Sequence, residues 1–206
     1  MDWRQIAESL PEFAEKNRAV WNELDAAQGD GDLGVTLQLA ANALADAAAV
    51  AGTVRDWLLE GGRAVRKAAP STMGILLASA LIAAGKALPP ETGELSSRDW
   101  LLVQKTMAEE IMRRGGAQRG DKTVLDAFHP AIEAYEEGLE QNLAAEELMA
   151  KAAEAANRSA EATADMASKT GRSSWLGERA SGRIDGGAWF CYQLYEWLAL
   201  KLSGKA

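Results

Sequence analysis

The chain has 206 residues, 48% of them apolar, and a formal net charge of −8 at neutral pH. That length supports one sizeable core or two small ones, and the composition is too apolar for intrinsic disorder. The basic residues are dispersed rather than gathered on one face, which argues against a nucleic-acid binder, and the lone cysteine, Cys191, has no intrachain disulfide partner.

Helix formers dominate, β-branched residues are sparse, and no period-two pattern persists, so the expected class is all-α. Eight helical segments follow in order: about 2–26, 33–50, 53–67, 72–88, 97–114, 122–140, 144–167 and 187–203. Trp3, Ile6, Leu10, Phe13, Val20 and Leu24 recur at helical intervals in the first. Gly52, Gly61-Gly62, Gly85, Pro89-Pro90, Gly93, Gly115-Gly116 and Gly120 punctuate the chain as stops or turns. Ser96 and Ser97 are suited to cap the fifth helix. Glu146 and Glu147 suit the positive end of the seventh. The alanine-rich stretches Ala40–Ala51 and Ala144–Ala164 read as closely packed helix faces. Ser168–Gly187 is the longest irregular stretch, and its Trp175 and Leu176 argue for a loop that packs back.

The most apolar stretch, Gly74–Ala84, is too short to span a bilayer. The N-terminus lacks the basic region and apolar run of a signal peptide, so the cytoplasm is the expected location and no membrane partner is expected. His129, the single histidine, sits just before Pro130 and reads as a surface or helix-end residue. Six of the seven tryptophans read as core; Trp175, in the long loop, does not. Glu133, Glu136, Glu137 and Glu140 form a solvated face.

The chemistry concentrates in Leu24-Asp25-Ala26-Ala27-Gln28-Gly29-Asp30-Gly31-Asp32-Leu33-Gly34. The glycines end the first helix and let the backbone curl, so that Asp30 and Asp32 turn back toward Asp25. Three convergent carboxylates repel unless a cation lies between them, and hard oxygen ligands favour Mg²⁺ or Ca²⁺. A plain turn is the competing reading. An EF-hand is not, because its ligand spacing and closing Glu are missing. Mg²⁺ is usually completed by water and substrate phosphates, which points to a phosphorylated ligand nearby. A second segment, Gly115-Gly116-Ala117-Gln118-Arg119-Gly120-Asp121-Lys122-Thr123, has P-loop-like composition. However, Asp121 separates glycine from lysine and no strand precedes it. A helix-to-helix connection with Asp121 capping the next helix remains open beside a binding role.

Three segments in register carry a family resemblance. Asp25 with Gly29-Asp30-Gly31-Asp32-Leu33-Gly34 resembles an aspartate followed by Gly-Asp-Gly/Ala-Asp-His-Gly. Gly120-Asp121-Lys122-Thr123-Val124-Leu125-Asp126 resembles Gly-Asp-Lys-Thr-Met-x-Asp. Gly171-Arg172-Ser173-Ser174-Trp175-Leu176-Gly177-Glu178-Arg179-Ala180-Ser181-Gly182 resembles Gly-Arg-Ala-Ser-Tyr-Leu-Gly-Glu-Arg-Ser-x-Gly. The chain resembles a divergent member of the DhaL family, the nucleotide-binding subunits of dihydroxyacetone kinases. The resemblance covers almost the whole chain.

It implies one domain over residues 1–206, a barrel of eight antiparallel helices with ADP or ATP and two Mg²⁺ at one end. The metal ligands carried over are Asp25, Asp30 and Asp32. The nucleotide set is Leu33, Gly34, Val35, Thr36, Ser71, Thr72, Met73, Gly115, Val124, Arg172, Asp185 and Gly186, with Arg172 also the expected catalytic residue. Thr36 replaces a usual Asn, and Val124 replaces a usual Met that packs on adenine. Leu33 stands where the family has His, Met73 where a loop hydroxyl normally lies, and Asp185-Gly186-Gly187 replaces Asp-Pro-Gly. The implied function is the nucleotide and Mg²⁺ subunit of a dihydroxyacetone-type ketose kinase. The implied partner is a DhaK-like chain that holds the ketose, with a DhaM-like phosphotransferase protein as one phosphoryl donor. A homodimer is also kept open. The apolar substitutions at Leu33 and Met73 motivate an alternative: a paralogue that binds nucleotide or a partner for regulation, without catalysis.

Overall fold

The computed structural model describes residues 2–170 and 182–204. The described residues form eight α-helices and a 3₁₀ turn, with no strand among them: α1 Trp3–Ala26, α2 Leu33–Val50, α3 Val54–Ala68, α4 Thr72–Ala87, α5 Ser97–Gly115, α6 Leu125–Glu140, α7 Ala145–Ala162 and α8 Gly186–Leu202, with the turn at Thr163–Asp165. The fold is all-α. The helix starts follow local chemistry. Thr53, Ser71, Ser96 and Asp185 accept the backbone N–H of Asp56, Gly74, Asp99 and Ala188, satisfying donors that a helix N-terminus leaves open. At α7, the Glu147 carboxylate accepts the Ala144 N–H.

Two boundaries differ from the sequence expectation. The sixth helix begins at Leu125 rather than near 122, because Lys122 has a positive φ of 62° and the Asp126 carboxylate takes the N–H groups of Gly120 and Thr123 into a loop. Asp121 does not cap that helix: its carboxylate accepts the Gln118 N–H instead. The seventh ends at Ala162 and tightens into the 3₁₀ turn, where the Thr163 hydroxyl donates to the Ala160 carbonyl.

Contacts divide the chain into two compact units. The first comprises Met1–Ala19 and Leu33–Gly115, and the second Val20–Asp32 and Gly116–Ala206. In the first, α2 packs on α3, α3 on α4 and α4 on α5. Its core gathers Trp3, Leu44, Val54, Trp57, Leu58, Val65, Leu81 and Val103 around the small buried faces of α2 and α4. Trp3 stacks on Trp57 at 5.4 Å, and the Trp57 indole donates to the Leu44 carbonyl at 2.9 Å. By length and composition α2 resembles a membrane span, but over half of it is buried inside the protein.

The second unit packs α7 between α6 and α8. Buried alanines of α7, including Ala152, Ala156 and Ala160, let the neighbouring helices approach. Trp21, fully buried, donates its indole N–H to Gln193 Oε1 at 2.6 Å and meets Phe190 edge-on. Cys191 is buried and free, and burial pushes its thiol well above the ordinary range, so it behaves as a small hydrophobe.

The α3–α4 contact tolerates no side chain at Gly62, where a Cβ would lie 2.8 Å from the Ala78 carbonyl oxygen and 2.7 Å from Ile82. Gly62→Ala should therefore destabilise the protein by about 1–3 kcal/mol, the usual cost of overpacking. Gly93→Ala, with nothing within 4 Å, should change stability by less than about 0.5 kcal/mol. Urea unfolding of both variants checks this; equal stabilities would contradict the packing account.

Candidate functional site

Asp25 lies in the last turn of α1, half-buried, and Asp30 and Asp32 follow on the exposed loop. One oxygen from each carboxylate comes within 4.8 Å of the others, a spacing that suits a shared cation. The loop is built to hold them there. Gln28 N–H and Gly29 N–H both donate to the Asp25 carbonyl, at 2.9 and 2.5 Å. The Asp32 N–H donates to Asp25 Oδ2 at 3.0 Å and orients that carboxylate. A Cβ at Gly29 would sit 2.7 Å from Asp25 Oδ1, so a side chain there would push that carboxylate aside, and Gly31 turns at φ 75°. The C-terminal end of α1 adds its own partial negative charge, so the whole feature favours a cation. Its all-oxygen, all-carboxylate donors match Mg²⁺ or Ca²⁺.

The same unit carries a buried polar network. Asp126 is 3% exposed and its two oxygens bind the Gly120 and Thr123 amides at 2.5 and 2.7 Å. Lys122 is 1% exposed, and its ammonium donates to the Met166 carbonyl at 3.2 Å. A P-loop lysine reaches outward to phosphates, whereas this one is turned into the protein. Burial lowers the Lys122 pKa, with the Asp185 and Asp165 charges opposing that shift. Asp185 caps α8 through Oδ2 to the Ala188 N–H at 2.8 Å, while its own N–H donates to the buried Thr163 hydroxyl at 2.9 Å. Burial pushes the Asp185 carboxyl up to about 6; the Ala188 N–H counteracts this, Asp126 adds to it and Lys122 opposes it. Val124, also in this unit, is half-buried at the start of α6, and Gly186 is the buried first residue of α8.

Other expected residues belong to the first unit. Leu33, Gly34, Val35 and Thr36 form the first turn of α2; Leu33 is buried at 6% exposure, and Val35 is exposed. The Thr36 hydroxyl donates to Ser71 Oγ at 3.0 Å, joining the starts of α2 and α4. Ser71 also accepts the Gly74 N–H at 3.1 Å, which leaves its own O–H to donate. Thr72 and Met73 open α4, and Gly115 closes α5 beside Leu76. Arg172 and Trp175 lie outside the described residues.

The family model described as the DAK2 domain matches residues 27–199. The chain belongs to the DAK2 domain family. This DAK2 domain spans about a third of a curated relative, the L-erythrulose 1-kinase of Mycolicibacterium smegmatis: the two are 34% identical over 189 residues, which is 89% of this chain and 32% of the relative. It is 27% identical to a Listeria innocua protein, the ADP-binding subunit DhaL of PEP-dependent dihydroxyacetone kinase 2, over 89% of this chain and 86% of that one. Among solved structures, it resembles the dihydroxyacetone kinase of C. freundii in complex with AMP-PNP and Mg²⁺. The TM-score there is 0.72 at 25% identity, covering 96% of this chain and 33% of the other. The resemblance in the three motifs thus agrees with a match across both units.

Sequence reasoning missed Lys122, Asp126 and Gln28 as organisers of this region. Buried polar side chains give no periodic signal; the partners of Gln28 and Lys122 lie far along the chain, and Asp126 reaches back from α6 to two amides of the preceding loop.

The Asp185 carboxyl gives a pH prediction. Between its ordinary value of 3.8 and about 6, the folded protein holds a proton that the unfolded chain has released, so this group costs stability as pH rises through that window. Asp185→Asn keeps an acceptor for the Ala188 N–H but cannot ionise. The melting temperature of the variant minus that of wild type should therefore grow from pH 4 to pH 6.5 in chelator-treated protein. A constant difference would contradict the burial account.

Proposed function

We propose that this domain is the nucleotide- and Mg²⁺-binding part of a dihydroxyacetone-type ketose kinase. The observation that carries the reading is the convergence of Asp25, Asp30 and Asp32 within 4.8 Å. The DAK2 match and the named kinases among the relatives support it.

In this reading Asp25, Asp30 and Asp32 hold Mg²⁺, two ions in all, against the phosphates of ADP or ATP. Bound Mg²⁺ neutralises phosphate charge and polarises the transferred group. The chain's own residues bind and orient. The loop amides hold Asp25 in place before any ligand arrives, which reduces the ordering needed on binding. The nucleotide set is Leu33, Gly34, Val35, Thr36, Ser71, Thr72, Met73, Gly115, Val124, Asp185 and Gly186. Within it the Ser71 hydroxyl offers a donor to a phosphate oxygen, in place of the one lost at Met73. Arg172 supplies planar donors suited to the transferred phosphoryl group and acts as the catalytic residue. The nucleophilic hydroxyl comes from a ketose held by a DhaK-like partner, and the phosphoryl group comes from ATP or from a DhaM-like phosphoprotein that recharges bound ADP. A cytoplasmic location goes with this reading.

A second reading follows from Leu33. Its side chain is buried, so it offers no polar group where the family has His. Loss of a single transition-state contact costs about 2.7–4 kcal/mol, which favours a nucleotide-binding regulator without turnover. Reconstitution with a ketose-binding partner separates the two: ketose phosphorylation supports the kinase, and nucleotide binding without turnover supports the regulator.

Asp30→Asn should weaken Mg²⁺-dependent ADP binding at least 10-fold by isothermal titration. The metal-free variant should melt no lower than wild type, because one of three repelling charges is gone. A large loss of metal-free stability would mark Asp30 as structural rather than a ligand.

A further inference from the structure

Gln28 lies between the metal-candidate carboxylates Asp25 and Asp30, yet its side chain is turned inward and is only 6% exposed. Its Nε2 donates to the Ile184 carbonyl at 2.8 Å, spanning 156 residues of sequence. Ile184 immediately precedes Asp185, the cap of α8. The backbone bonds of Gln28 and Gly29, and the Asp32 N–H, all return to Asp25 itself, so they set the shape of the loop. The Gln28 amide fixes where that shape sits against α8. On the far side the cap is held by the Thr163 hydroxyl, which accepts the Asp185 N–H. Nearby, the Gly182 N–H donates to the Ala164 carbonyl at 2.9 Å, and the Lys169 N–H donates to the Asp121 carbonyl at 3.2 Å. Among the described residues, the Gln28 amide thus joins the carboxylate loop to the chain entering α8.

We propose that Gln28 is a positioning residue whose buried amide ties the carboxylate loop to the α8 cap, so that metal loading at Asp25, Asp30 and Asp32 is transmitted to Asp185. The proposal rests on the metal reading of the carboxylate cluster. The loop's own hydrogen bonds shape it without metal; a bound cation draws the three carboxylates together, offsets their mutual repulsion and stiffens the loop further. A stiff loop holds the Ile184 carbonyl through Gln28 and suppresses opening at the start of α8. Coupling of this kind is reciprocal, so loosening the Gln28 tether must also weaken metal binding. Outer-shell partners of metal ligands typically contribute 10–100-fold to affinity.

The test uses the full chain and Mn²⁺ or Mg²⁺ alone, without nucleotide, so that no ligand touches α8 directly. Metal affinity is read by Mn²⁺ paramagnetic resonance, and amide hydrogen exchange is followed at Asp185 and Ala188. In wild type, saturating metal should slow exchange at those amides several-fold. Gln28→Met, of similar length but without a donor, should bind Mn²⁺ about 10-fold more weakly. At metal saturation it should show no slowing at Asp185 or Ala188. Gln28→Glu, ionised at neutral pH and also without a donor, should likewise lose the slowing, which keeps the test available if Gln28→Met folds poorly. A merely structural role for Gln28 would lower the melting temperature and leave the metal response intact. Full metal-dependent slowing retained in either folded variant overturns the proposal alone, as does wild type that binds Mn²⁺ with no slowing. Wild type that binds no Mn²⁺ overturns the metal reading and this proposal with it.

Discussion

Mutual repulsion among three carboxylates is the constraint on which the candidate site depends. At 4.8 Å or less, like charges disfavour each other unless something compensates. The protein supplies part of that compensation in advance. The Asp32 N–H binds Asp25, Gly31 takes the positive φ that the curl needs, and Gly29 leaves room for the Asp25 carboxylate. A divalent cation would add positive charge among the three carboxylates.

The rest of the second unit supports that loop with polar groups that are buried and satisfied. Asp126 organises the Gly120–Thr123 segment, the Lys122 ammonium holds the Met166 carbonyl, and Thr163 and Asp185 fix the start of α8. A buried network of this kind is rigid only when each member is paired. In the first unit the corresponding device is smaller: one hydroxyl pair, Thr36 and Ser71, joins two helix N-termini. Helix starts offer open N–H groups and a favourable dipole for anions, which is where phosphates are expected to bind.

Much of this was legible in the sequence, for local reasons. Helical periodicity with Gly and Pro punctuation located the eight helices of the described residues, because both signals act within a few residues. The aspartate cluster was readable because its three members and their glycines are neighbours in the chain. The start of α6 was misread because Asp121, just after Gly120, suits an N-cap, while the decisive interaction is the Asp126 side chain reaching back to two amides. Gln28 and Lys122 were illegible for the opposite reason: their partners lie 156 and 44 residues away, and no spacing rule encodes such contacts. Leu33 and Met73 stood out only against a family pattern, and burial of Leu33 explains how an apolar side chain is accommodated there.

The central claim is that Asp25, Asp30 and Asp32 together hold a divalent ion beside a nucleotide. A crystal grown with Mn²⁺ and ADP tests this most directly, through the anomalous scattering of manganese. The account predicts a peak bounded by the three carboxylates, at ordinary metal–oxygen distances of about 2.0–2.6 Å. Bound ADP with manganese elsewhere, or with no manganese at these aspartates, would contradict it.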